Sequence, residues 1–201
     1  MTTFLLVRHG TTDETGQILS GRRPVHLNAQ GRAQAERIPG RLAGAELVAV
    51  YSSPLERTVE TATPLARALR QPVECLPSLI EVDFGDWTGV EIESLKRQPS
   101  WRHFHEFRGG MRIPGGELIA EVAARSVGAL AALERVHGDT TVAIVTHADV
   151  IRAALAQCLG IPLDLILRLD VDPVSVSVLE FRPWGARLRR LNSQGTWPER
   201  E

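Results

Sequence analysis

The residues that most restrict this chain lie near its start, where Phe4-Leu5-Leu6-Val7 runs straight into Arg8-His9-Gly10. Four consecutive apolar residues closed by a turn residue read as a short strand covered on both faces, the habit of parallel sheets. Such a strand needs helices packed above and below it. In open α/β sheets, ligands bind beyond the carboxyl ends of the strands. At that end this strand offers a permanent cation in Arg8, an imidazole able to act as nucleophile in His9, and a glycine that lets backbone approach a ligand.

The same design recurs twice. Glu46 to Tyr51 is a second apolar strand, followed by Ser52-Ser53-Pro54 and a helix over 55–69 that carries Arg57 in its first turn. Thr141 to Val145 is a third buried strand, ending in Thr146-His147 before a helix over 150–158. Between these, Asn28 caps a helix expected over 29–42, residues 73–76 form a short strand, and residues 117–136 form an alanine-rich helix. Residues 164–169 read as a short turn, and 175–181 with 187–191 as an antiparallel pair. The order predicts a three-layer α/β/α sandwich with a mostly parallel central sheet, one domain over 1–201. A hydrophobic content of 43% supports a core of that size.

Two segments resist a periodic reading. Residues 11–24 form a loop beside the first strand end, where Thr12, Thr15, Ser20, Gly21 and Arg22 offer hydroxyls, backbone N–H groups and charge to an anion or serve as ordinary turn residues. Residues 91–115 crowd Trp101, His103, Phe104, His105, Phe107 and Met111 into a span with two Gly-Gly pairs. That composition fits a lid-like insertion that sets specificity, with Trp101, Phe104, His105, Phe107, Arg108 and Arg112 as candidates, and equally a small satellite core. The His103–His105 pair lacks a third ligand at metal-binding spacing and reads as lid or surface histidines.

A net charge of −1 argues against a main role in binding nucleic acid or a membrane surface. No apolar run approaches the ~20 residues of a membrane span, and Arg8 and His9 cut the first one short. Cys75 and Cys158 lie far apart and read as buried thiols in a reducing cytoplasm. The expected protein is cytoplasmic, without metal or cofactor, and acts alone or as a homodimer on a small molecule.

Arg8-His9, Ser52 to Arg57 and Thr146-His147 all fall at strand ends, and Glu81 lies in a further acidic segment. Two arginines and two histidines around one crevice would balance about two negative charges on a tetrahedral anion, and arginine matches phosphate oxygens with its planar fork. Phosphoryl transfer asks for little beyond positioning, charge stabilisation, an in-line nucleophile and a proton donor. Asp83 and Asp86 lie close enough to Glu81 in sequence to exchange roles with it.

The arrangement resembles the histidine phosphatase superfamily, the phosphoglycerate-mutase-like fold, and its small phosphatase branch. Leu6 to Gly10, Tyr51 to Ala62, Glu81 to Gly89, Pro114 to Glu117 and Val145 to Arg152 carry the resemblance, in the family's order. It implies that His9 accepts the phosphoryl group, that Arg8, Arg57 and His147 bind its oxygens, and that Glu81 protonates the leaving oxygen. Thr15, Ser20, Gly21 and Ala148 would meet the substrate, and no metal is implied. Thr15 departs from the asparagine that many mutase members carry at that place, and Asp13-Glu14 must point outward to spare the anion. The implied activity is a metal-independent phosphomonoesterase acting on small phosphorylated metabolites through a phosphohistidine. The alternatives are a cofactor-dependent phosphoglycerate mutase and an idle phospho-ligand-binding module.

Overall fold

The computed structural model describes residues 1–197. Its centre is a six-stranded sheet: β1 (Thr2–Arg8), β2 (Leu47–Ser52), β3 (Val73–Cys75), β4 (Thr141–Thr146), β5 (Val176–Arg182) and β6 (Gly185–Ser193), in the order β3-β2-β4-β1-β5-β6. The first four strands run parallel, and β5 and β6 close one side antiparallel. Helices α1 (Ala29–Glu36), α2 (Ile38–Arg41) and α3 (Glu56–Leu69) supply the partners for one face, and α6 (Ile119–His137) and α7 (Ala148–Leu159) those for the other. The fold is the three-layer α/β/α sandwich expected.

β1 shows why four apolar residues in a row were needed. Side chains alternate across a strand, so Phe4 and Leu6 join Leu130, Ile144 and Leu155 in one cluster, while Leu5 and Val7 join Ile38, Leu65 and Val145 in the other. Both layers therefore grip the strand that carries Arg8 and His9.

Three expectations change. The helix over 29–42 is two pieces, α1 and α2, because Pro39 has no N–H to give the carbonyl four residues back. Asn28 caps as predicted, its Oδ1 accepting from Gly31 N at 2.8 Å. Cys75 is exposed and Cys158 half-buried, so neither thiol is the buried group expected; Cys75 sits at the end of the edge strand β3, which has a neighbour on one side only. Residues 91–115 fold around α4 (Ile92–Leu95) and α5 (Pro99–Glu106), and Leu95, Phe104 and Ile113 are buried with Trp87, Val122 and Val150 in a third cluster. Trp101 and Phe104 there build a satellite core, while Phe107 is exposed.

The His9 loop is held against α1 by backbone packing that only glycine permits. A side chain at Gly31 would place its Cβ 2.0 Å from the Thr11 carbonyl oxygen, and one at Gly10 would stand 2.8 Å from the Gly31 oxygen. Gln34 Oε1 accepts from Thr11 N at 2.9 Å, and Thr11 O accepts from Asn28 N at 3.1 Å. A Gly31→Ala substitution must push the loop off the helix. Overpacking of this kind costs about 1–3 kcal/mol, so the urea midpoint of Gly31→Ala is expected to fall with its m-value unchanged.

Candidate active site

Register brings the chemistry together. Arg8 pairs with Thr146 and Ser52 with Val145, so β1, β2 and β4 end level with one another. His9 N donates to Thr146 O at 3.0 Å and Ser53 N to Val145 O at 2.9 Å, which extends the ladder by one residue into each functional segment. Arg57 lies in the first turn of α3 and is 2% exposed. The acidic segment is tied to the same edge by Thr146 Oγ1, which donates to the Leu79 carbonyl at 2.7 Å. Arg22 Nε and Arg125 Nη2 both donate to the Glu81 carbonyl, at 3.0 and 3.2 Å, and hold Glu81 facing inward. Arg22 is thereby a structural clamp and no longer an anion-contact candidate.

The two rivals to Glu81 are placed elsewhere. Asp83 faces Arg22 at 3.4 Å and Asp86 is exposed, and neither lines the cavity beside His9.

His9 Nδ1 lies 2.7 Å from the Gly10 carbonyl, an acceptor only, so Nδ1 carries the proton and Nε2 the lone pair. Burial, then Arg57 and Arg8, push its pKa down to about 3. His147 is fully buried, and burial followed by Arg57 drives its pKa well below the ordinary value. Its Nδ1 lies 3.3 Å from Arg57 Nη2, a donor only, so Nε2 is the protonated nitrogen and donates to Ser53 Oγ at 2.8 Å. Both imidazoles are neutral. The positive charge of the crevice thus comes from its arginines.

Arg57 is buried and Arg8 half-buried, and both hold groups ready. Arg8 Nη1 donates to the Val171 carbonyl at 2.7 Å, while its buried Nε has no hydrogen-bond partner. Arg57 Nη2 donates to Gly21 O at 2.7 Å, and Nε reaches His9 Nε2 at 3.3 Å. Glu81 moves the other way: burial first, then Asp149, raise its pKa to about 7. Its Oε1 accepts from Val82 N at 2.9 Å, and Oε2 stands 3.6 Å from His147 Nδ1.

These groups surround a cavity of about 280 Å³. Arg8, His9, Arg57 and Glu81 line it, as do Thr15, Ser20, Gly21 and Ala148; His147 stands behind, touching Arg57 and Glu81. Thr15 spends its hydroxyl on a turn, accepting from Thr12 N at 2.9 Å. Glu14 is turned onto Arg23 at 2.7 Å and Asp13 is exposed, which spares the anion site. Of the residues offered as a lid, none lines the cavity: Phe104 is core, Arg108 pairs with Asp149, and Arg112 with Glu121.

Sequence reasoning missed Ile18, Leu19, Phe84 and Ile92 on one wall, and Asp149 and Arg152 on another. Arg152 had a readable signal, since it follows Ala148 by one helical turn on α7. Ile18 and Leu19 had none. They lie outside any periodic segment and reach the site through an antiparallel bridge between Ile18 and Glu91. Among the described residues, no group of three or more His, Cys, Asp or Glu side chains is placed to hold a metal ion. A larger cleft of about 460 Å³, lined by Gln34, Arg37 and Arg41 and by the turn at 172–174 before β5, contains none of the cavity residues named above.

Comparison with known proteins bears on this arrangement. The model of the histidine phosphatase superfamily, branch 1, matches residues 4–194. A bifunctional protein of Mycobacterium tuberculosis is 34% identical over 96% of this chain and 54% of its own length, so the chain spans about half of that relative. Phosphoserine phosphatase 1 of Hydrogenobacter thermophilus is 30% identical over 96% of this chain and 92% of its own. Among solved structures, mycobacterial glucosyl-3-phosphoglycerate phosphatase in complex with VO3 superposes with a TM-score of 0.88 at 27% identity, covering 96% of this chain and 99% of that one. With its family pattern matched over almost its whole length, the chain belongs to branch 1 of the histidine phosphatase superfamily.

Proposed function

We propose that the chain is a metal-independent phosphomonoesterase that hydrolyses small phosphorylated metabolites through a phosphohistidine on His9. One observation carries the reading. A neutral imidazole, its Nδ1–H tied to Gly10, keeps Nε2 3.3 Å from the buried Arg57 guanidinium, in a cavity that Arg8 also lines and that holds a carboxyl protonated near neutral pH. The phosphatase names of the relatives support it. So does family membership. A single histidine phosphatase domain over 1–201, a cytoplasmic setting and a homodimer belong to the same proposal, and sedimentation equilibrium measures the last.

The chemistry follows from the geometry. Arg8, through its unpartnered Nε, and Arg57 take the phosphoryl oxygens and balance about two negative charges, the work a metal ion does in other phosphotransferases. An oxygen arriving at Arg57 Nε releases His9 Nε2 to attack phosphorus. The ester oxygen leaves with the proton of Glu81, which becomes a carboxylate. Water then attacks the phosphohistidine and gives its proton to Glu81, and phosphate leaves with His9 restored. His147 keeps its lone pair on Arg57 and its ring against Glu81, so it positions both.

Incubation with a ³²P-labelled phosphoester followed by alkaline quench is expected to leave an acid-labile label on the chain, absent in His9→Ala, and EDTA is expected to leave turnover unchanged. A chain that binds phosphoesters but never labels is a binding module. A chain whose label passes to a glycerate, and whose rate rises with a bisphosphorylated glycerate, is a mutase.

The pH dependence has a definite sign. Glu81 acts protonated, and a pKa raised to about 7 means that kcat/KM for alkyl esters falls as pH rises through neutrality. His9 acts neutral, and a pKa lowered to about 3 keeps it so throughout the mildly acidic range. Glu81→Gln is expected to lose the alkaline limb and about 10²–10⁴-fold in rate on alkyl esters, with a far smaller loss on p-nitrophenyl phosphate, whose leaving group needs no proton. Equal losses on both substrates would remove Glu81 from the acid role.

A further inference from the structure

Arg8 and Arg57 are matched by the phosphoryl group itself. A third arginine, Arg152, also lines the cavity, and its guanidinium is fixed before any ligand arrives. Nε donates to the Leu169 carbonyl at 2.8 Å and Nη1 to Asp149 Oδ1 at 3.0 Å. Among the described residues Nη2 has no hydrogen-bond partner, and it is not sealed from solvent. One nitrogen with two N–H groups is thus held ready at little further cost in side-chain ordering.

The segment that anchors Arg152 also anchors Arg8. Two residues beyond Leu169, the Val171 carbonyl accepts from Arg8 Nη1 at 2.7 Å, so one short stretch holds both guanidinium groups as neighbours. Their proximity shows in Arg8, whose pKa is lowered by burial first and by the charge of Arg152 second. A phosphoryl group on Arg8 therefore has a second cation beside it.

Charge says what that cation takes. Asp149 lines the cavity too, but both of its oxygens are occupied, Oδ1 by Arg152 and Oδ2 by Arg108. Arg108 is buried, lies 4.4 Å over the Phe104 ring and stays off the lining, so the N–H groups open to the cavity are those of Arg152. Two arginines share one carboxylate and keep one positive charge in excess. A carboxylate matches it, whereas a second phosphoryl dianion exceeds it. The hydroxyls of Thr12 and Thr15 bond to each other at 3.1 Å, and Ser20 is a neutral group that meets a carboxylate and an uncharged amide alike. The volume, about 280 Å³, suits a phosphoryl group with one compact appendage.

Resting on the phosphatase reading above, the geometry points to Arg152 as the specificity-determining residue that receives a carboxylate on the alcohol side of the phosphoester, which makes phosphorylated hydroxy acids with a short spacer the favoured substrate class. Non-hydrolysable phosphonates test this apart from the chemistry. Each acid is compared with its own amide, which has nearly the same shape and lacks the charge: 3-phosphonopropionate with 3-phosphonopropionamide, and 4-phosphonobutyrate with 4-phosphonobutyramide. Titration calorimetry at pH 7 is expected to show at least one acid bound about tenfold or more tightly than its amide, the scale of a hydrogen bond between charged groups. Arg152→Met is expected to bring that ratio below about threefold by weakening the acid and not the amide. A purely structural role for Arg152 would weaken both alike and leave the ratio standing. Thermal melts establish that the variant is folded; should it fail to fold, the native ratio and Arg152→Gln decide.

Equal binding of acid and amide by the native chain at both spacer lengths, tighter binding of the amides, no binding of any probe, or a ratio that survives the substitution overturns the inference. Phosphohistidine trapping with 2-phosphoglycolate and with 2-phenylethyl phosphate reads the catalytic step separately. An acid preference without label from either ester sinks the chemistry and leaves the carboxylate recognition standing, while label with equal binding does the reverse.

Discussion

The hydrogen bond from His9 Nδ1 to the carbonyl of its own neighbour, Gly10, is the constraint on which the site depends. It assigns the tautomer, so that the nitrogen beside Arg57 is the one with a lone pair. It works only because the chain turns sharply after β1, and the turn is possible only because Gly10 and Gly31 let two backbones meet where no Cβ fits. Helix α1, capped by Asn28 and bonded through Gln34 to Thr11, is thus a buttress for an imidazole about twenty positions earlier in the chain.

Electrostatics extends the same logic. Arg57 is almost fully buried, which is tolerable because its N–H groups end on the Gly21 and Arg23 carbonyls and on two imidazole nitrogens. A buried cation beside buried histidines keeps both rings neutral, leaving one as a nucleophile and the other as a fixed acceptor. The Glu81 carboxyl lies near the same cations, yet burial outweighs their pull and its pKa rises to about 7. Burial therefore pushes nucleophile and acid in opposite directions from their ordinary values, leaving His9 Nε2 unprotonated and Glu81 able to donate a proton near neutral pH.

Much of this was legible in the residue order. Apolar runs that end in Arg8-His9, in Ser52 to Arg57 and in Thr146-His147 announced three strand ends, and parallel strands in a layered α/β sheet must end on one side. That reasoning led to the sheet, to Arg8, His9 and Arg57 on the cavity lining, and to the family itself. It faltered where local pattern was absent. The aromatic-rich residues 91–115 carried no sign of whether they faced ligand or core, since Phe104 reads the same in either setting. Ile18 and Leu19 sat in a loop without period, and their partner Glu91 was more than seventy positions away.

The sequence by itself determined which groups reach the site, because strand ends and helix starts are local properties of hydrophobic pattern, capping and proline placement. Only the tertiary structure decided their states and their surroundings. Whether His147 is charged and whether Asp83 or Glu81 turns inward depend on burial and on partners from distant segments. Those are sums over neighbours in space, and no run of adjacent residues encodes them.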